Sequence, residues 1–278
     1  MARPPRRRTF YETISAAVQD IAAHGYDSQA RLDFWLNEIT EAAKRDLTPP
    51  QVLDQALRST FSTIYKRLVE NGGLIKTHPG VSRFTLQQVA PKLRNELDRR
   101  IMASANLIKL NREEAIQKTL RRFSGWATSI PAGGSDAAQK GQAKKDVYKT
   151  LSQLPFEERR VLIDQGHKFT SALSEILATN SGAIAAIWHS HWRQSHYNYR
   201  EDHKERDEQV YTVRSNWALE RGLMKVGEAG YTDQITAPGQ EVFCRCFYQW
   251  VYSLKQLPPE MVTAKGQEAM RQARMAVT

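Results

Sequence analysis

Two residue types that bind transition metals are concentrated in the last third of the chain. Four of the seven histidines lie within fifteen positions, and the two cysteines follow about forty residues later, separated by one residue. Neutral imidazole and thiolate are the ligands that Zn²⁺ prefers, and four of them close a tetrahedral structural site. On a strand, the two cysteines would project from one face, about 7 Å apart. Cys244 and Cys246 could therefore share one zinc ion with two of the clustered histidines, which are His189, His191, His196 and His203.

The same residues support two other interpretations. Buried free cysteine is often plain core, and His203 could then belong to a hydrogen-bonded network with arginine and aspartate. A histidine base beside carboxylates could instead activate water, which would make the chain a nuclease or another hydrolase acting through His203 with Asp202, Glu205 or Asp207. Residues 200–208 are almost continuously charged, however, and such a run is more typical of a solvated turn.

The elements that would position these residues lie between about residues 180 and 258. Residues 183–188 are short and apolar, and residues 210–213 and 242–252 are rich in β-branched and aromatic side chains. In the last run the side chains alternate between two faces. One face carries Phe243, Arg245, Phe247, Gln249 and Val251, and the other carries Val242, Cys244, Cys246, Tyr248, Trp250 and Tyr252. The pattern predicts a small α+β domain, followed by one polar helix in residues 259–278.

The order of these elements resembles the C-terminal domain of the phage Mu F-like minor head proteins. That pattern has a tryptophan-bearing strand, an Arg-x-x-His segment, an acidic turn, a Pro-Gly pair and a terminal Cys-Arg-Cys strand. The chain departs from it at Glu208-Gln209, where the family usually has glycine after the acidic residue. The matching positions are Trp192, Arg200, His203, Asp207, Pro238, Gly239, Cys244, Arg245 and Cys246. Because His203 lies in this motif, it is the preferred third zinc ligand, and His189, His191 or His196 would be the fourth, with His191 preferred.

The resemblance implies a minor head, or head morphogenesis, protein of a tailed bacteriophage. Such a protein would be a structural component of the virion head near the portal or neck, assembled in the host cytoplasm. Its partners would be portal or head-neck proteins, the major capsid protein and the packaged DNA, and it would aid assembly, DNA packaging or DNA ejection. Some domains of this family are compared with ADP-ribosyltransferases, but the Arg, Ser-Thr-Ser and Glu-x-Glu set of those enzymes is not found here, so the resemblance transfers no catalytic residues. A toxin-like domain that acts through His203 and nearby carboxylates remains the enzyme alternative.

The N-terminal part has helical periodicity. Apolar stripes and end signals predict helices from residue 10 to His24-Gly25, from Asp27 or Ser28, from Thr48-Pro49-Pro50 to Asn71-Gly72-Gly73, and over 85–123. The fold class is therefore α+β, with a mainly helical N-terminal region followed by a small α+β C-terminal domain. We expect a basic arm at 1–9, a portal- or neck-binding helical region at 10–128, a linker at 129–146, the Mu F-like domain at 147–258 and a tail at 259–278.

The formal charge of +10 predicts attraction to a polyanion. Residues 92–122 contain nine basic and four acidic residues, a net charge of +5. No helix-turn-helix or zinc-finger spacing is present, so DNA binding would be non-specific, and a non-specific DNA-binding protein is a further alternative. No secretory signal or membrane span is expected, since no apolar run approaches the ~18 residues required. The candidate DNA contacts in the arm are Arg3, Arg6, Arg7 and Arg8.

Overall fold

The computed structural model describes residues 7–276 and confirms the fold class, with long helices preceding a small three-stranded sheet. Arg3 and Arg6 lie outside the described residues. No helix of the described part is long and apolar enough to cross a membrane. The helices are α1 (Phe10–His24), α2 (Gln29–Asp46), α3 (Pro50–Tyr65), α4 (Gly73–Thr77), α5 (Arg83–Ala127), α6 (Lys140–Asn180), α7 (Glu201–Glu205), α8 (Trp217–Glu220) and α9 (Ala264–Met275), and the strands are β1 (Ala185–His189), β2 (Val210–Thr212) and β3 (Phe247–Val251).

The chain divides into two compact units, and each is built from two separate stretches of sequence. Unit 1 comprises residues 1–57 and 103–161, and unit 2 comprises residues 58–102 and 162–278. The boundaries therefore fall inside α3, α5 and α6. The predicted domain boundary at 129–146 is wrong, because that segment lies within unit 1 and separates no compact bodies.

The loop between α5 and α6 is attached to the end of α1. The N–H of Gly133 donates to the carbonyl of His24, and the N–H of Ser135 donates to the carbonyl of Ala22, each at 2.9 Å. Ile130 is buried in the core of unit 1. The turn-rich loop is therefore packed against α1, because its N–H groups donate to carbonyls that the C-terminal end of α1 leaves without partners.

Unit 1 is a helical core whose helix ends follow the sequence signals. Thr9 and Glu12 form a reciprocal capping box at the start of α1, and Gly25 ends that helix with a φ of 75°. Ser28 caps α2. The apolar stripes meet in one cluster that includes Ile14, Ile21, Ile39, Phe123 and Leu154.

Unit 2 contains an antiparallel sheet in the order β2-β1-β3. The predicted strand over 242–252 is shorter than expected, because Phe243 adopts a left-handed φ of 60° and pairing begins only at Phe247. The predicted alternation persists across this segment, with Cys244 and Cys246 buried and Arg245 exposed between them. The predicted polar C-terminal helix is α9, capped by Thr263.

The tryptophan carried by a strand is Trp188 on β1, which is fully buried, and not Trp192. Trp192 lies in the turn that follows β1. The expectation that Trp192 occupies the strand is therefore wrong by four positions. The all-apolar run before Trp188 is buried on both faces of the strand, which is the pattern of a central strand.

Candidate metal centre

The two cysteines and one histidine of the predicted zinc site converge in unit 2. His203 lies on the short helix α7, and Cys244 and Cys246 lie in the extended segment that leads into β3. The His203 Nδ1 atom is 3.6 Å from the Cys244 sulfur and 3.5 Å from the Cys246 sulfur. All three residues are buried, and their ligand atoms lie within 4.8 Å of one another. The chain folds back over some forty residues to bring these groups together.

The spacing of the three atoms fits one zinc ion. Zn–S distances of about 2.3 Å and Zn–N distances of about 2.0 Å at a tetrahedral angle place a nitrogen and a sulfur ligand about 3.5 Å apart. The two observed N···S distances match this value without any change in the side chains. The donor set of one imidazole and two sulfurs is also the one that zinc prefers. The cluster can therefore bind a metal ion, and its chemistry is compatible with zinc.

The two thiols are not equivalent. The pKa of Cys244 is lowered to about 5, because the Cys246 thiol donates a hydrogen bond to its sulfur. Burial opposes this effect, whereas the Gly239 N–H, 3.3 Å from the Cys244 sulfur, contributes to it. The pKa of Cys246 is raised, since its proton is engaged by Cys244 and its sulfur is buried. Cys244 is therefore the more acidic of the two thiols.

A second layer of polar residues surrounds His203. Its Nε2 atom is buried and has no hydrogen-bond partner among residues 7–276, and it lies 3.7 Å from the Glu241 carboxylate and 3.9 Å from that of Asp202. Arg200 holds Glu241 at 2.6 Å and donates to the carbonyl of Val242 at 3.0 Å. Metal-bound histidines usually direct their second nitrogen to a carboxylate, which orients the ring. The arginine of the Arg-x-x-His segment thus positions the carboxylate beside the histidine.

Asp207 organises the turn after β1. It accepts hydrogen bonds from the Ser190 N–H and from the Trp192 indole, both at 2.8 Å. Burial acts to raise the pKa of Asp207, but these two bonds and the nearby charges of Arg193 and His189 together lower it. Trp192 therefore belongs to the motif through a hydrogen bond to Asp207.

His191 is not a fourth ligand in this structure. Among the described residues the metal-binding group contains three members, and the His191 ring lies instead 6.0 Å from the ring of Phe247 and 6.4 Å from that of Tyr197. The His189 ring stacks on Phe247 at 5.0 Å. His196 is exposed. The rings of His189 and His191, at the end of β1, therefore pack against Phe247 and do not point towards the metal ligands.

The other residues predicted from the motif and from the basic arm are not metal ligands. Gly239 has a φ of 81°, and a Cβ there would lie 2.6 Å from the Ser171 hydroxyl, so the Pro238-Gly239 turn needs glycine. Arg245 is exposed, with its guanidinium over the Tyr197 ring. Arg7 and Arg8 are exposed.

Two residues of the site were missed from the sequence. Glu241 lies beside His203, and the Asp164 carboxylate accepts a hydrogen bond of 2.6 Å from the N–H of Phe243, which fixes the strained turn before the cysteines. A carboxylate three positions before the first cysteine was a weak signal for Glu241. Asp164 is 79 positions away from its partner and gave no local signal.

Comparison with protein-family models, with curated proteins and with solved structures gives no match. The resemblance to the phage proteins therefore depends on the motif residues and on their convergence.

The geometry of His203 also bears on the hydrolase alternative. His203 is 2% exposed and directs one nitrogen to two sulfurs, so it is poorly placed to activate a water molecule.

Proposed function

We propose that the chain is a minor head protein of a tailed bacteriophage, located near the portal or neck and in contact with packaged DNA. The observation that supports this proposal is the convergence of the ordered motif. His203 contacts Cys244 and Cys246, Arg200 is joined to the cluster through Glu241, and Gly239 donates to Cys244. Elements that resemble one family pattern thus form one folded cluster. The role is structural, with portal or head-neck proteins, the major capsid protein and DNA as partners.

We also propose that this cluster holds one zinc ion through His203 Nδ1 and the two cysteine sulfurs. Zinc would stabilise unit 2, because it would join α7 to the segment before β3 and thereby close a loop of about forty residues. Glu241, held by Arg200, would orient the histidine.

The location of the protein in the particle tests the first proposal. Deleting the whole helical region, residues 1–126, would also remove residues 58–102 of unit 2. The test therefore uses a point substitution. Val52 in the helical region and Val242 near the metal centre are 52% and 57% exposed, which makes them a matched pair. If the helical region binds the portal or neck, Val52→Asp should lower the copies per purified head several-fold, while Val242→Asp should not. Quantitative mass spectrometry relative to the major capsid protein gives the copy number.

Two outcomes would contradict this proposal. Either the unmodified chain is missing from purified heads, or it is present at the copy number of the major capsid protein. Equal incorporation of both valine variants would place the portal contact outside the surface around Val52.

DNA binding should depend on the basic arm. On the long helix α5, six of the nine basic residues between positions 92 and 122 lie within 4 Å of a carboxylate, which leaves the arm as the better candidate. Replacing Arg3, Arg6, Arg7 and Arg8 with alanine should reduce the slope of log K against log salt by about 2–4 if all four contact phosphate. Fluorescence anisotropy with an arbitrary duplex measures the slope.

A matched control removes the same charge elsewhere. Replacing four basic residues that already have carboxylate partners should leave the slope almost unchanged; these are Arg94, Lys109, Lys118 and Arg271. An equal loss of slope in both variants would mean that net charge alone drives the binding. An unchanged slope in the arm variant would assign the arm to a protein partner.

A further inference from the structure

One surface of unit 2 exposes aromatic rings beside a cationic side chain. Phe243 and Phe247 are 40% and 48% exposed, and Arg245 is exposed between them. These three residues alternate with the buried Cys244 and Cys246, so they share the outer face of the segment that leads into β3. Neighbouring large apolar side chains that stay exposed are typical of an interaction site. We call the face formed by Phe243, Arg245 and Phe247 the aromatic–basic surface.

The turn after β1 packs against this surface and supports it. The His189 ring stacks on the Phe247 ring with their centroids 5.0 Å apart. The Tyr197 hydroxyl donates to the carbonyl of Phe243 at 3.3 Å and accepts a hydrogen bond of 3.2 Å from the N–H of Arg245. These contacts order the surface in advance, which lowers the entropy cost of binding a ligand to it.

The same surface has an excess of positive charge. Residues 189–200 and 242–252 contain three arginines and no aspartate or glutamate. The Arg245 guanidinium lies over the Tyr197 ring, 5.6 Å from its centroid, and it forms no ion pair within residues 7–276. A contact with a ring face does not neutralise the cation. Arg245 is therefore available to an anionic ligand.

Two carboxylates next to this segment already have cationic partners. Glu241 pairs with Arg200 at 2.6 Å. Asp164, which accepts the N–H of Phe243, pairs with Lys168 at 3.0 Å. Each of these pairs is neutral as a whole, so the charge of Arg245 remains uncompensated and attracts anions to this face.

We propose that the aromatic–basic surface binds single-stranded nucleic acid. Proteins that bind single strands combine aromatic rings, on which bases stack, with cations that contact the backbone phosphates. Phe243 and Phe247 offer two stacking positions, and Arg245 offers a phosphate contact between them. Every base has a planar face, so this arrangement selects single strands without selecting a sequence. The proposal does not depend on the proposed head function.

Two other polyanions fit the surface less well. A DNA duplex keeps its bases stacked inside, so it offers phosphates to Arg245 but no base face to the two phenylalanine rings. An acidic peptide would satisfy Arg245 with a carboxylate and would leave both rings in water. The exposed rings therefore favour the single strand.

Fluorescence anisotropy of the full chain with an oligothymidylate of about ten nucleotides tests the stacking positions. Phe243→Leu and Phe247→Leu should each weaken binding at least about fivefold, because each removes a ring and keeps an apolar side chain. Phe84→Leu, at a 67% exposed position on α5, is the matched control and should have no effect. Phe247→Trp keeps an aromatic face and should retain binding, which separates stacking from a folding defect. Unchanged affinity in either leucine variant of the surface, or an equal loss in Phe84→Leu, would overturn the proposal.

The phosphate contact is measured through its salt dependence. Arg245→Gln should reduce the slope of log K against log salt by about 0.7, the value for one phosphate of a single strand. Arg271→Gln, on α9, removes a charge that is already paired with Glu268 and should leave the slope unchanged. A slope that stays the same in Arg245→Gln would contradict the proposed site.

Three further ligands identify what the surface binds. An abasic strand and a duplex of the same length keep the phosphates but offer no free base, so Phe247→Leu should leave their affinities unchanged. An equal loss of affinity for them would mean that the ring does not act by stacking, and would overturn the proposal. Oligoglutamate that binds as tightly as oligothymidylate, and loses as much affinity in Phe247→Leu, would assign the surface to an acidic protein instead.

Discussion

Treatment with a strong zinc chelator should lower the melting temperature of unit 2 by roughly 10 °C, which corresponds to about 3 kcal/mol for a unit of this size. The zinc ion would cross-link two segments about forty residues apart through His203, Cys244 and Cys246, and its removal leaves three buried polar groups without their ligand. Elemental analysis of the purified chain should find one zinc ion per molecule. Hydrogen exchange should show the loss of protection in unit 2, with unit 1 unchanged.

Single substitutions separate the metal from ordinary packing. Cys244→Ser, Cys246→Ser and His203→Ala should each abolish stoichiometric zinc, while His191→Ala should retain it, because the His191 ring lies outside the group of ligand atoms. Without a bound metal, the same three substitutions would cost about 1–3 kcal/mol through lost packing and hydrogen bonds, and the chelator would have no effect. Full zinc content in Cys244→Ser would refute the site.

Replacing Arg112 with methionine should destabilise unit 1 by about 3–5 kcal/mol. The Arg112 guanidinium is almost fully buried, pairs with Glu158 at 2.5 and 3.1 Å and donates to the carbonyl of Thr48 at 2.8 Å. The substitution would leave the Glu158 carboxylate, itself 17% exposed, without a counter-charge. Urea unfolding followed by hydrogen exchange in unit 1 measures the effect.

Two controls accompany this measurement. The double variant Arg112→Met with Glu158→Leu should recover most of the lost stability, because it removes the unpaired charge. Lys118→Met breaks the exposed pair with Glu114 and should change stability little. A loss in the double variant as large as in the single one would mean that Arg112 acts through packing alone.

Local features of the fold could be predicted from the sequence because their causes are local. Gly25 and Ser28 mark a helix end and a helix start, since a left-handed turn needs glycine and a free N–H needs a side-chain acceptor. The alternation around Arg245 correctly placed Cys244 and Cys246 on one buried face, because that pattern depends only on an extended backbone. Residue type indicates Cys244 and Cys246 as metal ligands, whereas His203 is singled out from the other histidines only by its place in the family motif.

Features that depend on packing between distant segments were decided by the tertiary structure. The turn-rich loop near Gly133 looked like a linker, but its hydrogen bonds to the end of α1 place it inside unit 1. His191 has the right chemistry for a ligand, yet the turn anchored by Asp207 directs its ring towards Phe247. The sequence determined helix ends, strand faces and ligand types, because each is set by a few neighbouring residues. The tertiary structure decided which of those groups meet, because burial and partners come from residues far apart in the chain.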